Sequence, residues 1–192
     1  MMWDLPFSVE INGKEHKIRN NCDYRVVLDT ISALNDEDLD FEHRLICALY
    51  IFYGENDKRP NETMSALGDV ENAVAEMIKI INLGEDKCDD KNKPKLMDWE
   101  HDFQQLVPPV SRILGYDVRT PNKYLHWWSF VGAYMEIGSD CTFSDIITIR
   151  SKMAKGKKLE KREEEFYRNN RKLVDLPKKL TTEEEEFLNS DW

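Results

Sequence analysis

With 192 residues, 41% of them hydrophobic and 10% aromatic including five tryptophans, the chain has enough apolar surface for one main folded core. Its formal net charge of −10 opposes general affinity for nucleic acid or anionic membrane, and Cys22, Cys47, Cys88 and Cys141 lie too far apart for a disulfide scaffold or a zinc site. No apolar run approaches a membrane span, and the opening Met1-Met2-Trp3-Asp4-Leu5-Pro6 lacks the basic and apolar regions of a signal peptide, so reduced thiols and a cytosolic address are expected.

The first predicted element is a β-hairpin. Val9 and Ile11 precede Asn12-Gly13, His16 and Ile18 follow it, and Asn-Gly tolerates the positive φ of a two-residue turn. Two strands alone are marginal, so the hairpin must pack on what comes next. From Asp23 the spacing turns helical: behind an Asp N-cap, Tyr24, Val27, Leu28, Ile31 and Leu34 share one face. A second helix opens near Asp40, carries Phe41, Leu45, Ala48, Leu49 and Phe52 and ends at Gly54, and the two should pair as a helical hairpin. Polar Glu55 to Glu62 reads as a loop. A third helix then runs to about Leu83, with Leu67, Val70, Val74, Met77, Ile78 and Ile81 inward, and Gly84 stops it.

Residues 85–95 form a polar, mobile linker. A fourth helix begins near Asp98, and Pro108-Pro109 end or kink it because neither donates the helical hydrogen bond. Thr120-Pro121 offer an N-cap and a first-turn proline for an aromatic-rich helix over 122–137. Thr142 caps a helix to about Ala154 with Phe143, Ile146, Ile147 and Ile149 inward, and beyond Gly156 a charged helix spans Leu159 to about Arg171. Pro177 separates it from a short acidic helix, Glu183 to Leu188. The expected fold class is mainly α: a helical domain of about six to eight helices with a small N-terminal β-hairpin and a charged C-terminal helical extension. The division follows as 1–21 for the hairpin, 22–155 for the helical domain and 156–192 for the extension.

There is no glycine-rich phosphate loop, nucleophile elbow or HExxH in the sequence, so neither enzymatic activity nor a cofactor is expected. Of His16, His43, His101 and His126, His101 has Asp98 and Asp102 within one helical turn; lacking a partner motif elsewhere, this reads as an acidic first turn favoured by the helix dipole, not as a metal face. The densest aromatic cluster is Tyr124, His126, Trp127, Trp128, Phe130 and Tyr134. Adjacent Trp127 and Trp128 point about 100° apart, so both are buried only if the helix is covered over most of its circumference. Core packing of at least one indole is the first reading. The second is a protein-binding anchor made of Tyr124, Trp127, Trp128, Val131 and Tyr134.

Residues 150–172 hold ten Lys or Arg against four Glu, a local charge of +6 that leaves −16 on the remainder. Glu163, Glu164 and Glu165 precede Arg168, Arg171 and Lys172 at spacings that include i,i+4, which favours a self-paired solvated helix or contact with an acidic protein over phosphate binding. Separated charge of this kind also favours head-to-tail self-association, through Arg150, Lys152, Lys155, Lys157, Lys158, Lys161 and Arg162.

Trp3-Asp4-Leu5-Pro6 with Ile11-Asn12-Gly13-Lys14, Asp23-Tyr24-Arg25, Leu96 through Phe103 and the paired-Trp segment Tyr124 through Phe130 resemble a family of small acidic proteins from phages and prophages of Gram-positive bacteria. Tyr134 through Gly138, Phe143 through Arg150, Lys155 through Leu159 and Glu165 through Arg171 extend the resemblance, in order, over almost the whole chain. The loop 53–65 and the linker 85–95 match least. The resemblance implies a gene between the tail-tube and tape-measure genes of long-tailed, non-contractile phages. By that position it implies a tail assembly chaperone that coats the tape-measure protein and keeps it soluble for the polymerising tube. Such a protein would act in the host bacterial cytoplasm and be absent from the mature virion, with the tape-measure protein, the tail-tube protein and further copies of itself as partners. A helical protein with apolar grooves suits a long helical client, and an acidic coat supplies solubility. Competing readings are a minor structural component of the tail and a nucleic-acid binder acting through residues 150–172.

Overall fold

Asn12 and Gly13 adopt the positive φ that a two-residue hairpin turn demands, 52° and 76°. They join β1 (Ser8–Ile11) to β2 (Lys14–Lys17) in an antiparallel ladder with Ile11 opposite Lys14 and Val9 opposite His16. This computed structural model describes residues 4–55, 58–85 and 94–177. Among them the hairpin is the only sheet, and nine α-helices and one 3-10 turn make up the other regular structure, so the fold is mainly α. The predicted acidic helix Glu183–Leu188 and most of the 85–95 linker lie outside the described residues. The chain divides into two units, one of residues 1–92 with 107–137 and one of 93–106 with 138–192.

In the first unit α1 (Tyr24–Asn35) starts behind Asp23 and α2 (Phe41–Tyr53) behind Asp40, each carboxylate accepting from a first-turn amide, and the two helices pack as a hairpin. The predicted third helix is in fact two. α3 (Pro60–Leu67) ends at Gly68, whose φ is 72°, and Asp69 then caps α4 (Val70–Ile81) by accepting from the Asn72 amide. Apolar residues continue on both sides of Gly68-Asp69, so hydrophobic periodicity hides the stop and restart. β1 lies on α4, and α1 on α6 (Trp127–Met135). Ile11, Val27, Leu49, Phe52, Met77 and Phe130 are consequently buried, each such side chain contributing roughly 1.5–3 kcal/mol.

Pro108 and Pro109 do not end α5, which runs from Trp99 to Leu114 with both inside it. Each proline leaves the carbonyl four residues earlier without its helical donor, yet Leu106, Val107 and Val110 around them are buried, and that burial keeps the segment helical. The division between the two units falls at this weak point, between Leu106 and Val107.

The second unit contains the first half of α5 with α7 (Thr142–Ala154), α8 (Lys161–Asn169) and α9 (Arg171–Val174). The predicted charged helix is broken at Asn170, and α7 starts at Thr142 itself, with Cys141 at the cap position and no side-chain cap bond. Ile146, Ile149 and Val174 form a small core against which Leu159, Phe166 and Leu173 pack.

Beside that core lies Arg150, 6% exposed, with every guanidinium N–H used. Nε donates to the Val174 carbonyl at 2.6 Å, Nη1 to Leu96 O and Asp102 Oδ2 at 2.9 and 2.6 Å, and Nη2 to Asp102 Oδ1 and Leu173 O at 2.9 and 2.8 Å. Asp102, itself fully buried, accepts in addition from the Asp98 amide. One side chain thus ties the start of α5 and the end of α9 to α7. Removing one partner of such a pair strands a buried charge, at a cost of about 3–5 kcal/mol. Asp102→Ala is therefore expected to strip amide-exchange protection from α7 and α9 while α1 and α2 stay protected; equal loss in both sets would contradict this role.

Candidate partner-binding surface

α6 begins later than its sequence suggests. Thr120 and Pro121 open no helix; the Thr120 hydroxyl closes a turn onto Asp117 O at 2.6 Å, and Asn122 takes φ 59°. The Arg25 guanidinium, stacked on the Tyr24 ring, holds this loop by donating to the carbonyls of Val118, Thr120 and Lys123. Residues 125–126 stay extended because they bridge to 22–24: Tyr24 N donates to Leu125 O and Trp127 N to Cys22 O, both at 2.9 Å. Only then does the helix start, with His126 as its N-cap.

The imidazole of His126 is buried and spans two roles. Nδ1 accepts from the Trp128 amide at 3.1 Å, which makes Nε2 the protonated nitrogen, and Nε2 donates to the Pro6 carbonyl at 2.9 Å. Burial lowers its pKa, partly offset by the Pro6 bond, because a second proton would lack solvation and would abolish the cap.

Both tryptophans serve the interior. Trp127 is 2% exposed and its Nε1 donates to Ile81 O at 3.0 Å; Trp128 is partly buried and its Nε1 donates to Ile80 O at 2.9 Å. Two adjacent indoles thus donate to the last two carbonyls of α4, that of Ile80 accepting from the Leu83 amide as well. The Trp128 ring also lies against Gly84, where φ is 85° and a Cβ would come within 3.3 Å of the indole. Phe130 stacks on Tyr24 with ring centres 4.6 Å apart, Val131 is buried and Tyr134 partly buried. Of the five side chains named as an anchor, Tyr124 alone is largely exposed, at 48%. Its hydroxyl donates to Asn21 O, and desolvation, with Cys22 and Asp23 nearby, pushes its pKa up to about 12.

Other apolar side chains occupy the surface instead. Phe7 is 47% and Met135 64% exposed, and Leu5, two residues before Phe7, is exposed as well. Phe7 meets the His126 ring edge-on at 5.6 Å, and Trp128 meets the same ring at 6.2 Å. Sequence reasoning passed over Leu5 and Phe7 because they precede the alternating pattern; the signal was two large apolar residues flanking Pro6 outside any predicted element.

The basic segment is similarly redistributed. Arg150 is internal, as described, and not a surface cation. Lys152 bonds Glu160 and Glu163. Lys155, Lys157, Lys158, Lys161 and Arg162 are exposed around the turn at Gly156, whose φ is 63°. Asp98 caps α5 by accepting from the amides of Glu100 and His101, and Asp102 is engaged with Arg150. Among the described residues no group of three or more His, Cys, Asp or Glu is placed to hold a metal ion, and no helix is long and apolar enough to cross a membrane.

The family described as bacteriophage Gp15 protein matches residues 2–176 of the sequence. No curated protein and no solved structure matches it.

The His126 cap has a pH signature. A group whose folded pKa lies below its ordinary 6.5 favours the native state above that value, and the gain is lost as pH falls through the lowered folded value. His16, lowered by burial and by Lys14, acts with the same sign. The urea midpoint is expected to drop between pH 7.5 and 5.5, and His126→Asn, which keeps a cap acceptor but cannot titrate, should show a smaller drop. An unchanged pH dependence in that variant would remove the cap from the explanation.

Proposed function

The chain belongs to the bacteriophage Gp15 family, and from that premise we propose that it is a tail assembly chaperone, which binds the tape-measure protein and keeps it soluble while the tail tube polymerises. The family points to a phage structural or assembly protein; a Gram-positive host, a gene between those for tail tube and tape measure, and absence from the finished virion complete the proposal. In this reading the protein acts in the host cytoplasm, carries out no reaction and needs no cofactor.

The observation that supports a chaperone is the pairing of exposed apolar side chains with a strongly acidic chain. Leu5, Phe7, Tyr124 and Met135 are exposed on the first unit, while the indole N–H groups of Trp127 and Trp128 are already spent on α4. Such a surface offers apolar contact with little hydrogen-bonding demand, which fits the apolar stripe of any amphipathic client helix and not one sequence. A net charge of −10 keeps coated clients apart. Release into a growing tube requires each contact to be weak, so affinity comes from many copies. The cationic turn Lys155–Arg162 of one copy, set against the acidic remainder of the next, supplies the self-association this needs.

Co-expression with the tape-measure protein should move that protein into the soluble fraction. Met135→Glu, at a position 64% exposed, should leave the melting temperature nearly unchanged and return much of the client to the pellet. Client solubility that ignores the chaperone would contradict the proposal, and stoichiometric presence in purified virions would make the protein a tail component instead.

A further inference from the structure

The apolar stripes of α1 and α2 run on past the point where the rest of the first unit covers them. On α1, Tyr24 and Val27 are buried, but Leu28, Ile31 and Leu34 are only partly so. On α2, Ala48, Leu49 and Phe52 are buried and Leu45 partly buried, while Phe41, the predicted start of the inward face, is 75% exposed. The tip of this helical hairpin therefore keeps apolar surface open.

Charge around the tip has one sign. Residues 36–42 hold five carboxylates, Asp36, Glu37, Asp38, Asp40 and Glu42, and no base, the densest acidic run among the described residues. Of the bases that follow, His43 bonds Asp40, and Arg44 donates its Nε–H to the Leu39 carbonyl. In the second unit the turn between α7 and α8 is the opposite. Lys155, Lys157, Lys158, Lys161 and Arg162 are exposed, with no ion pair among the described residues, and the one acid among them, Glu160, is engaged by Lys152. Met153, two residues before Lys155, is 42% exposed.

We propose that the tip of the α1–α2 hairpin of one copy docks on the 155–162 turn of a second copy. Phe41 packs on Met153 and the lysine stems, and the carboxylates of 36–42 meet the cations of the turn. Charge selects this pairing: tip on tip sets carboxylates against carboxylates, turn on turn sets cations against cations, and tip on turn joins opposite signs. Because the two faces differ, each copy keeps one of them for its next neighbour, and the contact propagates along a client. The proposal names the faces behind the self-association that the chaperone reading requires, and rests on that reading. Exposed ion pairs are weak singly and screened by salt, which suits a coat that must be shed.

Sedimentation of the full chain without client tests it. At an ionic strength of about 0.01 M the weight-average mass should climb with protein concentration beyond about twice that of one chain, and fall back as salt approaches about 1 M. Asp38→Lys with Glu42→Lys largely neutralises the tip, and Lys157→Glu with Lys158→Glu the turn; each variant alone should stay monomeric. Mixed, the two should form a dimer and stop there, because one intact tip then meets one intact turn and the other two faces are disabled. In the wild type, carbodiimide cross-linking of mixed unlabelled and isotopically heavy chains should join 36–42 to 155–162 in light–heavy pairs. Cross-links confined to one isotope would put the tip and turn of a single copy together, which overturns the proposal. A wild-type mass that stays at one chain, variants that associate alone, or a mixture that stays monomeric does the same. With no client present, such a failure removes this interface alone, and client solubility decides the chaperone reading separately.

Discussion

Short helices that end inside a protein leave carbonyls that no helical amide can reach, and satisfying them is the constraint that organises both units here. Among the described residues the nine helices span four to sixteen residues, so much of the backbone is helix terminus. An unsatisfied buried carbonyl costs about 1–3 kcal/mol, and this chain meets the demand with its largest donors. Trp127 and Trp128 close the end of α4, Arg150 closes the end of α9, and Arg19, stacked on Tyr50, donates to Gly54 O beyond α2. Gly54 has no room for a side chain, because a Cβ would collide with both the Arg19 guanidinium and the Tyr50 carbonyl.

This use of donors decides what the surface can offer. Aromatic and cationic side chains are the usual currency of recognition, yet several of the most conspicuous ones are consumed internally. Left outside are apolar side chains with few polar demands, a cationic turn at 155–162 and an open strand edge. Apolar contact is undiscriminating and suits a long helical client. A strand edge is directional, because its backbone bonds fix the register of whatever pairs with it.

Wherever one residue carries its own geometric reason, the structure was legible in the sequence. Asn12-Gly13 specified the hairpin, and Asp23 and Asp40 specified the starts of α1 and α2, because turn and cap chemistry are local. The split between α3 and α4 was hidden by apolar residues continuing across Gly68-Asp69. The start of α6 was misplaced because the pairing of 125–127 with 22–24 is about a hundred residues long-range, and no window along the chain reveals it. Arg150 read as one of a run of cations, since neither Asp102 nor the end of α9 is near it in sequence. Of the side chains read as an anchor, Trp127 and Val131 are core, while Leu5, Phe7 and Met135, which no periodic pattern singled out, are exposed.

The claim that these side chains act as internal donors is tested most directly by proton exchange at the donors themselves. In the free protein at neutral pH, the indole N–H protons of Trp127 and Trp128 and the Nε–H of Arg150 should exchange orders of magnitude more slowly than in an unstructured peptide, each tracking the stability of its own unit. Exchange at the rate of exposed side chains would show that the helix ends are closed in some other way, and would return these residues to the surface as candidates for recognition.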